Sequence, residues 1–442
     1  LLSPLAPPLP RPSSSPPPPL SCSQAMWRFL LPTRPSGALL RWHLHSRRFS
    51  THMREPVCIV GAARTPLGGF NGSLASLSAP QLGAAAIIGA LAKAGVAKEA
   101  VEQCWMGNVV SAGVGQAPAR QAARAAGLAD STCCTTVNKV CSSGMKAIVL
   151  GAQQIMLGQT EVVVAGGMES MSNIPYYAPK VRFGARMGNA TMVDGMIHDG
   201  LWDPYGNCHM GTYAELCAET HGITKDMQDA HADESYNRAR SASFEDEVVP
   251  VTVKSRKGET IISLDDEIAQ PPKPASSAKP AFKRDGGTVT AANASTISDG
   301  AAALVLMSRA AAKAHGATVL ATIRGFGDAE QEPEWFTTAP SAAIPRALAN
   351  AGLSGVSSVD FFEINEAFSV VSLANNKLLG LDPNKVNIRG GAVALGHPIG
   401  ASGARIVVTL LSVLRDKGGK IGVAGICNGG GGASAIVIEA EK

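Results

Sequence analysis

The chain has 442 residues, of which 45% are hydrophobic and 17% are charged, with nine cysteines. This composition excludes a small disulfide-bonded protein, a coiled coil and a disordered polymer. The formal net charge is +4, but residues 1–54 hold seven arginines and no acidic residue, which leaves 32 basic and 35 acidic residues in the remainder. The nearly balanced charge of residues 55–442 argues against nucleic-acid binding. The low charged fraction of the chain predicts a homo-oligomer.

The first 50 residues predict a leader rather than part of a domain. Nine prolines precede Ala25, and Met26 is a candidate start. Residues 26–52 are rich in arginine, free of acids and interspersed with Trp, Phe and Leu, which is typical of an organelle transit peptide, although a disordered basic tail is the alternative. We therefore expect residues 1–50 to be a disordered leader and transit peptide. The expected location is the mitochondrial matrix, with the cytosol as second choice, and no membrane insertion is expected.

Short β-branched runs then alternate with alanine-rich stretches. Residues 57–61 and 162–166 predict strands, and residues 81–94 and 142–157 predict helices. This alternation predicts βαβ units and a layered α/β fold. The helix over 142–157 is nearly uncharged on all sides, so we expect it to be buried between sheets. Residues 295–309 predict a helix followed by a strand, through which the chain returns to the core of the N-terminal half.

Two halves of the chain match at equal spacing, which predicts a duplicated domain. Thirteen residues separate Gly95 from Asn108 and also Gly352 from Asn365. Chance similarity of two Gly/Ala-rich regions is the alternative. The expected organisation is an N-terminal half over 55–170, completed by about 294–317, an inserted loop domain over 171–293, and a C-terminal half over 318–442.

Different chemical groups stand at similar places in the two halves. Cys141 begins the first buried helix, where unpaired backbone N–H groups favour a thiolate. His397 precedes the second helix on a glycine-rich loop, and a Cys with a His forms a nucleophile with its base. Cys427 follows a strand, and Asn365 offers a polar amide. For each residue, a purely structural role in the core is the alternative, and no cysteine spacing predicts structural zinc.

Five ordered motifs carry a resemblance to a known family: NKVCSSGMKA (138–147), AGGMESMSN (165–173), NEAF (365–368), GGAVALGHPIGASGA (390–404) and CNGGGGA (427–433). They resemble the thiolases, specifically the biosynthetic acetoacetyl-CoA type of the mitochondrial branch. The resemblance covers about Val57 to Ile438. It implies a duplicated five-layered αβαβα core with an inserted loop domain that receives coenzyme A.

The resemblance also implies a role for each catalytic residue. Cys141 would take the acetyl group from acetyl-CoA as a thioester, with His397 activating its thiol. Cys427 would remove a proton from the methyl group of a second acetyl-CoA, whose carbon then attacks the acetyl group. One oxyanion site would use His397 and a water held by Asn365, and the other would use the backbone N–H groups of Cys141 and Gly429.

Substrate-binding positions follow from the same resemblance. Residues that match CoA or substrate contacts are His209, Met210, Ser295, Phe368 and Tyr205. Residues that match a potassium site, with ordinary loop packing as the alternative, are Tyr205, Ala291, Ala292, Ala294 and Val393. No tightly bound cofactor is implied; the partners are acetyl-CoA, acetoacetyl-CoA and CoA, and the assembly is a homotetramer.

Two departures from the family fall in the loop domain. The chain is about four residues short between Tyr236 and Val248, and residues 268–280 lack the usual basic, CoA-contacting side chains, for which Lys273 and Lys279 are substitutes. Two other functions remain open at this point. One is a 3-ketoacyl-CoA thiolase of fatty-acid β-oxidation, and the other is a non-catalytic, thiolase-like acyl carrier.

Overall fold

The structure, a computed structural model, describes residues 55–270 and 274–441. The expected leader and transit peptide over 1–50, and Lys273, lie outside this range. The α-helices are α1 Ala79–Ala94, α2 Pro118–Ala125, α3 Ser143–Met156, α4 Met210–His221, α5 Lys225–Ser241, α6 Asp266–Ala269, α7 Arg309–Ala314, α8 Pro340–Asn350, α9 Ser369–Leu379, α10 Ala392–Leu395 and α11 Ser402–Lys417.

The strands are β1 Val57–Arg64, β2 Gly68–Gly69, β3 Gln103–Gly107, β4 Cys133–Val137, β5 Val162–Ser170, β6 Tyr176–Tyr177, β7 Val193–Asp194, β8 Trp202–Asp203, β9 Cys208–His209, β10 Val251–Ser255, β11 Gly258–Ile262, β12 Ser298–Ser308, β13 Ala321–Glu330, β14 Phe361–Ile364, β15 Ile421–Asn428 and β16 Gly432–Ala440. None of the helices in the described residues has both the length and the apolar character that crossing a membrane requires.

The main sheet shows the duplication directly. Its strand order is β14-β15-β16-β13-β1-β12-β5-β3-β4. The two halves meet where β1 pairs antiparallel with β13. On their other sides, β1 pairs antiparallel with β12 and β13 pairs antiparallel with β16. β1 has a register shift between Ile59 and Gly61, and β13 has one between Ile323 and Gly325, at matching points of the two strands.

The middle layer consists of α3 and α11, which cross where each carries a glycine. A Cβ on Gly144 would lie 2.9 Å from the backbone nitrogen of Ala404, and one on Gly403 would lie 2.6 Å from that of Met145. Only glycine permits so close an approach from both sides. Side chains of both helices pack with both halves of the sheet in one apolar cluster. The predicted burial of the first helix between sheets is confirmed.

Two further apolar clusters complete the layers. α1 and α2 cover the outer face of the N-terminal half of the sheet, and α8 covers the outer face of the C-terminal half. The order of layers is therefore helix, sheet, helix pair, sheet, helix. The predicted five-layered αβαβα arrangement is confirmed.

The prediction for residues 295–309 is wrong in part. Ser298–Ser308 is a strand throughout, paired with β1 on one side and β5 on the other. Its alanines favour a helix locally, but backbone hydrogen bonds to two neighbouring strands outweigh that preference. This strand returns to the N-terminal half of the sheet, as expected.

A buried ionic network ties the segment between the halves to the core. Arg64 at the end of β1 donates two hydrogen bonds to Asp265, of 2.7 and 2.9 Å, and one of 3.0 Å to Glu247. Glu247 also accepts from Arg389, at 2.8 Å, and from Thr409, at 2.8 Å. Arg64, Glu247 and Asp265 are each at most 1% exposed. Glu247, near the end of the shortened region 236–248, is therefore bound to the core by hydrogen bonds from three side chains.

We expect Arg64→Ala to destabilise the fold by about 3–5 kcal/mol, because it leaves the buried carboxylate of Asp265 without its arginine and that of Glu247 with Arg389 alone. Arg324→Ala is the matched control: it breaks an ion pair with Glu439 in which the arginine side chain is 43% exposed. That pair should contribute less than about 1 kcal/mol. Unfolding by urea measures both changes, and equal losses would contradict the assigned importance of the buried network.

Candidate active site

The loop before α3 holds Cys141 in a constrained backbone. Val140 has φ +46°, a value that a β-branched residue rarely adopts. The hydroxyl of Ser143 fixes the turn, because it donates to the carbonyl of Val140 at 2.6 Å and accepts from the N–H of Lys139 at 2.8 Å. Such strain often marks a functional position.

The thiol of Cys141 faces two backbone N–H groups. Burial raises its pKa to about 11, while hydrogen bonds from the N–H groups of Gly429 and Cys141 itself act in the opposite direction. The backbone N–H groups therefore favour the thiolate, as expected, but burial has the larger effect on the pKa in the free protein. Loss of solvent outweighs the helix dipole, so the thiol must give its proton to a base when it reacts.

Cys427 and Gly429 reach the same place from the C-terminal half. Cys427 is the penultimate residue of β15 and is fully buried. Burial, and then the nearby thiol of Cys141, raise its pKa well above the ordinary value. A Cβ at Gly429 would lie 3.5 Å from Cγ1 of Val140 and 3.8 Å from Cε of Met210. The loop after β15, the loop that holds Cys141 and the start of α4 thus meet at Gly429.

His397 lies opposite Asn365 in the loop before α11. Nδ1 of His397 is 2.6 Å from the hydroxyl of Ser402, which donates its own proton to the carbonyl of Pro398 at 2.9 Å. Nδ1 must therefore carry a proton, and Nε2 is left with a free electron pair. Nε2 faces the amide nitrogen of Asn365 at 3.5 Å. This tautomer, assigned from the hydrogen-bond network, makes Nε2 the basic atom.

We predict a pH-dependent loss of stability at His397. Burial, and then the charge of Arg405, lower its pKa to about 3. The unfolded chain binds a proton below about pH 6.5, but the folded chain does not until near pH 3, so the stabilisation is present above pH 6.5 and is lost as the pH falls. Between pH 7 and pH 5 the wild type should lose roughly 2 kcal/mol more than His397→Gln. Urea unfolding at both pH values measures this difference, and parallel losses would contradict it.

The two central helices begin 259 residues apart, at Ser143 and Ser402. By this offset Gly400 stands where Cys141 stands in the first half, and Asn138 stands where His397 stands in the second. The sequence comparison had matched Cys141 with the His397 region only broadly. The nucleophile and the base therefore occupy different places in the repeat.

Two buried carboxylates support the site and were missed from the sequence. Glu169 accepts hydrogen bonds from Asn108 at 2.7 Å, from the N–H of Val109 at 2.9 Å and from the N–H of Gly400 at 3.0 Å. It joins a loop of the first half to the His397 loop of the second. Burial raises its pKa to about 7. The sequence feature that could have indicated Glu169 is its position within the motif AGGMESMSN.

The other carboxylate, Glu366, follows Asn365. It accepts from His231 at 3.1 Å, Ser235 at 2.8 Å and Asn387 at 2.9 Å. Burial alone would raise its pKa, but these partners lower it to about 2. Because His231 and Ser235 lie on α5, Glu366 connects the segment between the halves to the catalytic loop. Its place within NEAF was the signal.

Several of the residues matched to substrate contacts lie close to one another, around the ring of Phe282. His209 caps α4, because its Nδ1 accepts from the N–H of Gly211 at 3.1 Å, and its ring stacks on Phe282 at 4.8 Å. Phe282 meets Phe368 edge to face at 6.4 Å. The hydroxyl of Ser295 donates to the carbonyl of Ala367 at 2.8 Å, next to Phe368. No sequence motif indicated Phe282.

Met210 and Phe368 share one apolar cluster with Cys427. Tyr205 differs from the other matched residues, since it lies in the turn between β8 and β9 and is 76% exposed. Of the residues matched to a potassium site, Ala292 and Val393 pack in one small cluster. These residues fit a shared cation site only in part, because the phenol of Tyr205 faces solvent.

Comparison with known proteins now identifies the family. Residues 57–310 match the sequence profile described as "Thiolase, N-terminal domain", and residues 317–440 match "Thiolase, C-terminal domain". The chain belongs to the thiolase family. The family resemblance found in the motifs is confirmed, and the fold of this thiolase agrees with it.

Curated relatives cover most of this thiolase. It is 57% identical over 390 residues to "Acetyl-CoA acetyltransferase 2" of Arabidopsis thaliana, with 87% of this chain and 96% of the relative covered. It is 57% identical over 389 residues to "Acetyl-CoA acetyltransferase" of Schizosaccharomyces pombe, covering 87% and 98%. A relative from Gibberella zeae, 54% identical over 390 residues and covering 87% and 98%, is named "Acetyl-CoA acetyltransferase ERG10, cytosolic".

These relatives correct one expectation. The mitochondrial location predicted from the N-terminal composition is contradicted, because a relative matched over nearly its whole length is named cytosolic. The assignment to a mitochondrial branch of the family is not confirmed by these relatives. The basic stretch that suggested this location lies outside the described residues.

Proposed function

We propose that this thiolase is an acetyl-CoA C-acetyltransferase, which condenses two acetyl-CoA into acetoacetyl-CoA and CoA and catalyses the reverse thiolysis. The observation that carries the proposal is the proximity of two thiols: that of the partly buried Cys141, which accepts a hydrogen bond from the N–H of Gly429, and that of the fully buried Cys427. The names of the curated relatives, at 54–57% identity, agree with it. Coenzyme A enters as substrate and product, and the reaction needs no tightly bound cofactor.

In the first half-reaction, Nε2 of His397 takes the proton of Cys141 and the sulfur attacks the carbonyl carbon of acetyl-CoA. The carbonyl oxygen gains negative charge, which the N–H groups of Cys141 and Gly429 stabilise. The bond to the CoA sulfur breaks, and CoA leaves with the proton from His397. Because His397 is neutral in the folded protein, the electron pair of its Nε2 is not occupied by a proton at pH 7.

In the second half-reaction, the thiol of Cys427 first gives its proton to solvent, and the resulting thiolate removes a proton from the methyl group of another acetyl-CoA. The charge that develops on the thioester oxygen of that acetyl-CoA is stabilised by His397 and a water held by Asn365. The methyl carbon attacks the acetyl group on Cys141, a carbon–carbon bond forms, and the bond to the sulfur of Cys141 breaks; that sulfur leaves as a thiolate and takes up a proton from solvent. We propose that the substrate arm lies along Met210, His209 and Phe368, with Ser295 near the pantetheine.

The proposed domain division accompanies this assignment: halves over 55–170 with about 294–317 and over 318–442, and a CoA-receiving loop domain over 171–293. In favour of this division, α4, α5 and Phe282 in the loop segment contact the catalytic loops of the second half. We further propose a homotetramer. Sedimentation of the purified protein tests it, and a stable monomer or dimer would contradict it.

The test of function is CoA-dependent cleavage of acetoacetyl-CoA beside 3-ketopalmitoyl-CoA, with and without potassium. Strong preference for the short substrate supports the proposal. Equal or faster cleavage of the long one would instead indicate a thiolase of β-oxidation. Cleavage of neither, with Cys141 still open to alkylation, would indicate an acyl carrier without turnover. A potassium-dependent rate that Tyr205→Phe abolishes would support the cation site.

A further inference from the structure

A buried carboxylate near the end of β5 binds the loop that carries His397. Oε1 of Glu169 accepts hydrogen bonds from Nδ2 of Asn108 at 2.7 Å and from the N–H of Val110 at 3.3 Å. Oε2 accepts from the N–H of Val109 at 2.9 Å and from the N–H of Gly400 at 3.0 Å. The residue is 1% exposed. Four donors therefore point at this carboxylate, and three of them belong to the backbone.

The carbonyl of Gly400 is enclosed on its other side by three glycines of the N-terminal half. A Cβ would lie 2.7 Å from this oxygen on Gly107, 3.0 Å on Gly144 and 2.0 Å on Gly167. Only glycine permits so close an approach of two backbones. The N-terminal half therefore holds both the N–H and the carbonyl of Gly400.

The turn between His397 and Gly400 is short and closed by hydrogen bonds. The N–H groups of Ala401 and Ser402 both donate to the carbonyl of Pro398, at 2.9 Å each. The hydroxyl of Ser402 in turn lies 2.6 Å from Nδ1 of His397. Because these bonds make the turn one unit, a shift of Gly400 would also move the imidazole ring.

The repeat places an equivalent contact in the other half. The offset of 259 residues between the two central helices also relates Glu169 to Asn428, near the ends of β5 and β15. Oδ1 of Asn428 accepts from the hydroxyl of Ser142 at 2.8 Å and from Nζ of Lys139 at 3.0 Å. Both donors flank Cys141. Each half thus uses the end of one strand to hold the catalytic loop of the other half.

We propose that Glu169 is a positioning residue for the base, which acts through Gly400 to keep Nε2 of His397 in line with the thiol of Cys141. This inference rests on the proposed function, in which His397 takes the proton of Cys141. Glu169 itself gives and takes no proton in this role. A displacement of about 1 Å in a catalytic group costs up to roughly 10²-fold in rate, so the contribution of Glu169 is expected to be about 10–100-fold.

Glu169→Gln tests this role in the full chain. Glutamine has the shape of the carboxylate but presents an NH₂ group to N–H donors, so hydrogen bonds to one of its two ends are lost. We expect kcat for cleavage of acetoacetyl-CoA by CoA to fall about 10–100-fold, with both KM values within about twofold of wild type. Rates are divided by the folded fraction, which near-ultraviolet circular dichroism measures. A wild-type kcat in the folded variant would overturn the proposal.

A double-mutant cycle separates positioning of the base from a general effect on the fold. His397→Gln removes the base, and single-turnover acetylation of Cys141 by acetyl-CoA reports the step that uses it. If Glu169 acts through His397, adding Glu169→Gln to His397→Gln should lower this rate by less than about threefold. A larger further loss in the double variant would show that Glu169 acts elsewhere and would contradict the proposal.

Gly400→Ala is a second test that leaves Glu169 intact. Its Cβ would lie 2.6 Å from Oε2 of Glu169, so the loop must move away from the carboxylate. This variant should lower kcat as Glu169→Gln does, and it decides the question if Glu169→Gln does not fold. A wild-type kcat in Gly400→Ala would overturn the proposal. Wild-type protein that cleaves no acetoacetyl-CoA would instead refute the proposed function.

Asp360→Asn is the matched control. The carboxylate of Asp360 also accepts from two backbone N–H groups, those of Lys420 at 2.7 Å and Ile421 at 2.9 Å. These contacts lie at the start of β15, the opposite end of that strand from Cys427. The kcat of this variant should stay within about twofold of wild type. A loss equal to that of Glu169→Gln would show that any lost carboxylate contact slows the enzyme, and would contradict the assignment.

Discussion

Replacing Cys141 with alanine is expected to abolish formation of the acetyl-enzyme and to lower acetoacetyl-CoA cleavage by at least about 10⁴-fold. The sulfur of Cys141 accepts hydrogen bonds from the N–H groups of both Cys141 and Gly429. Without that sulfur, neither half-reaction has an acyl carrier. Incubation with radiolabelled acetyl-CoA, followed by denaturation, measures the acetyl-enzyme directly.

The fold should tolerate this change, because Cys141 lies in the loop before α3 and the residue is only partly buried. Cys133→Ala is a suitable control: it removes an exposed thiol eight residues earlier and should leave acetylation unchanged. Wild-type labelling of Cys141→Ala at another residue would show that the nucleophile has been assigned wrongly. A folded variant without label supports the assignment.

Cys427→Ala is expected to separate the two half-reactions. Cys141 should still be acetylated, since its sulfur, its N–H contacts and His397 all remain. Condensation should fall by about 10²–10⁴-fold, the contribution typical of a positioned acid or base. Exchange of label between acetyl-CoA and free CoA reports the first half-reaction, and formation of acetoacetyl-CoA reports the second.

Cys217 supplies the matched control for Cys427. It is also fully buried, and it packs in the same apolar cluster on α4. Cys217→Ala should cost no more than about 2 kcal/mol of stability and leave both half-reactions intact. If Cys427→Ala condenses acetyl-CoA at the wild-type rate, Cys427 is not the base. If Cys217→Ala loses condensation as well, the effect comes from packing rather than proton transfer.

The repeat in the sequence predicted much of the fold. Equal spacings such as Gly95 to Asn108 and Gly352 to Asn365 reflect a backbone built twice, since both glycines follow a helix with positive φ. The nearly uncharged stretch over 142–157 indicated a helix buried between sheets. The strand at Ser298–Ser308 was predicted only in part, because its backbone pairs with strands from residues 57–64 and 162–170, and local composition carries no information about such partners.

The sequence predicted which residues would form the site, but not their burial, their pKa values or their neighbours. Cys141, His397, Asn365 and Cys427 stand in recognisable motifs, and the order of those motifs was visible in the sequence. The raised pKa of Cys141 was not, because burial depends on segments almost 300 residues away in the chain. Phe282 was missed for the same reason: no motif marks it, and only folding brings it between His209 and Phe368.

The sequence by itself determined the family, the duplication and the chemical groups available, because residue types and their spacings are local properties of the chain. Tertiary structure decided which nitrogen of His397 is basic and that burial raises the pKa of both catalytic thiols, Cys141 and Cys427. Each of these depends on distances between groups far apart in sequence. Hydrogen bonding and desolvation act over a few ångströms in space, so they are decided only when the chain has folded.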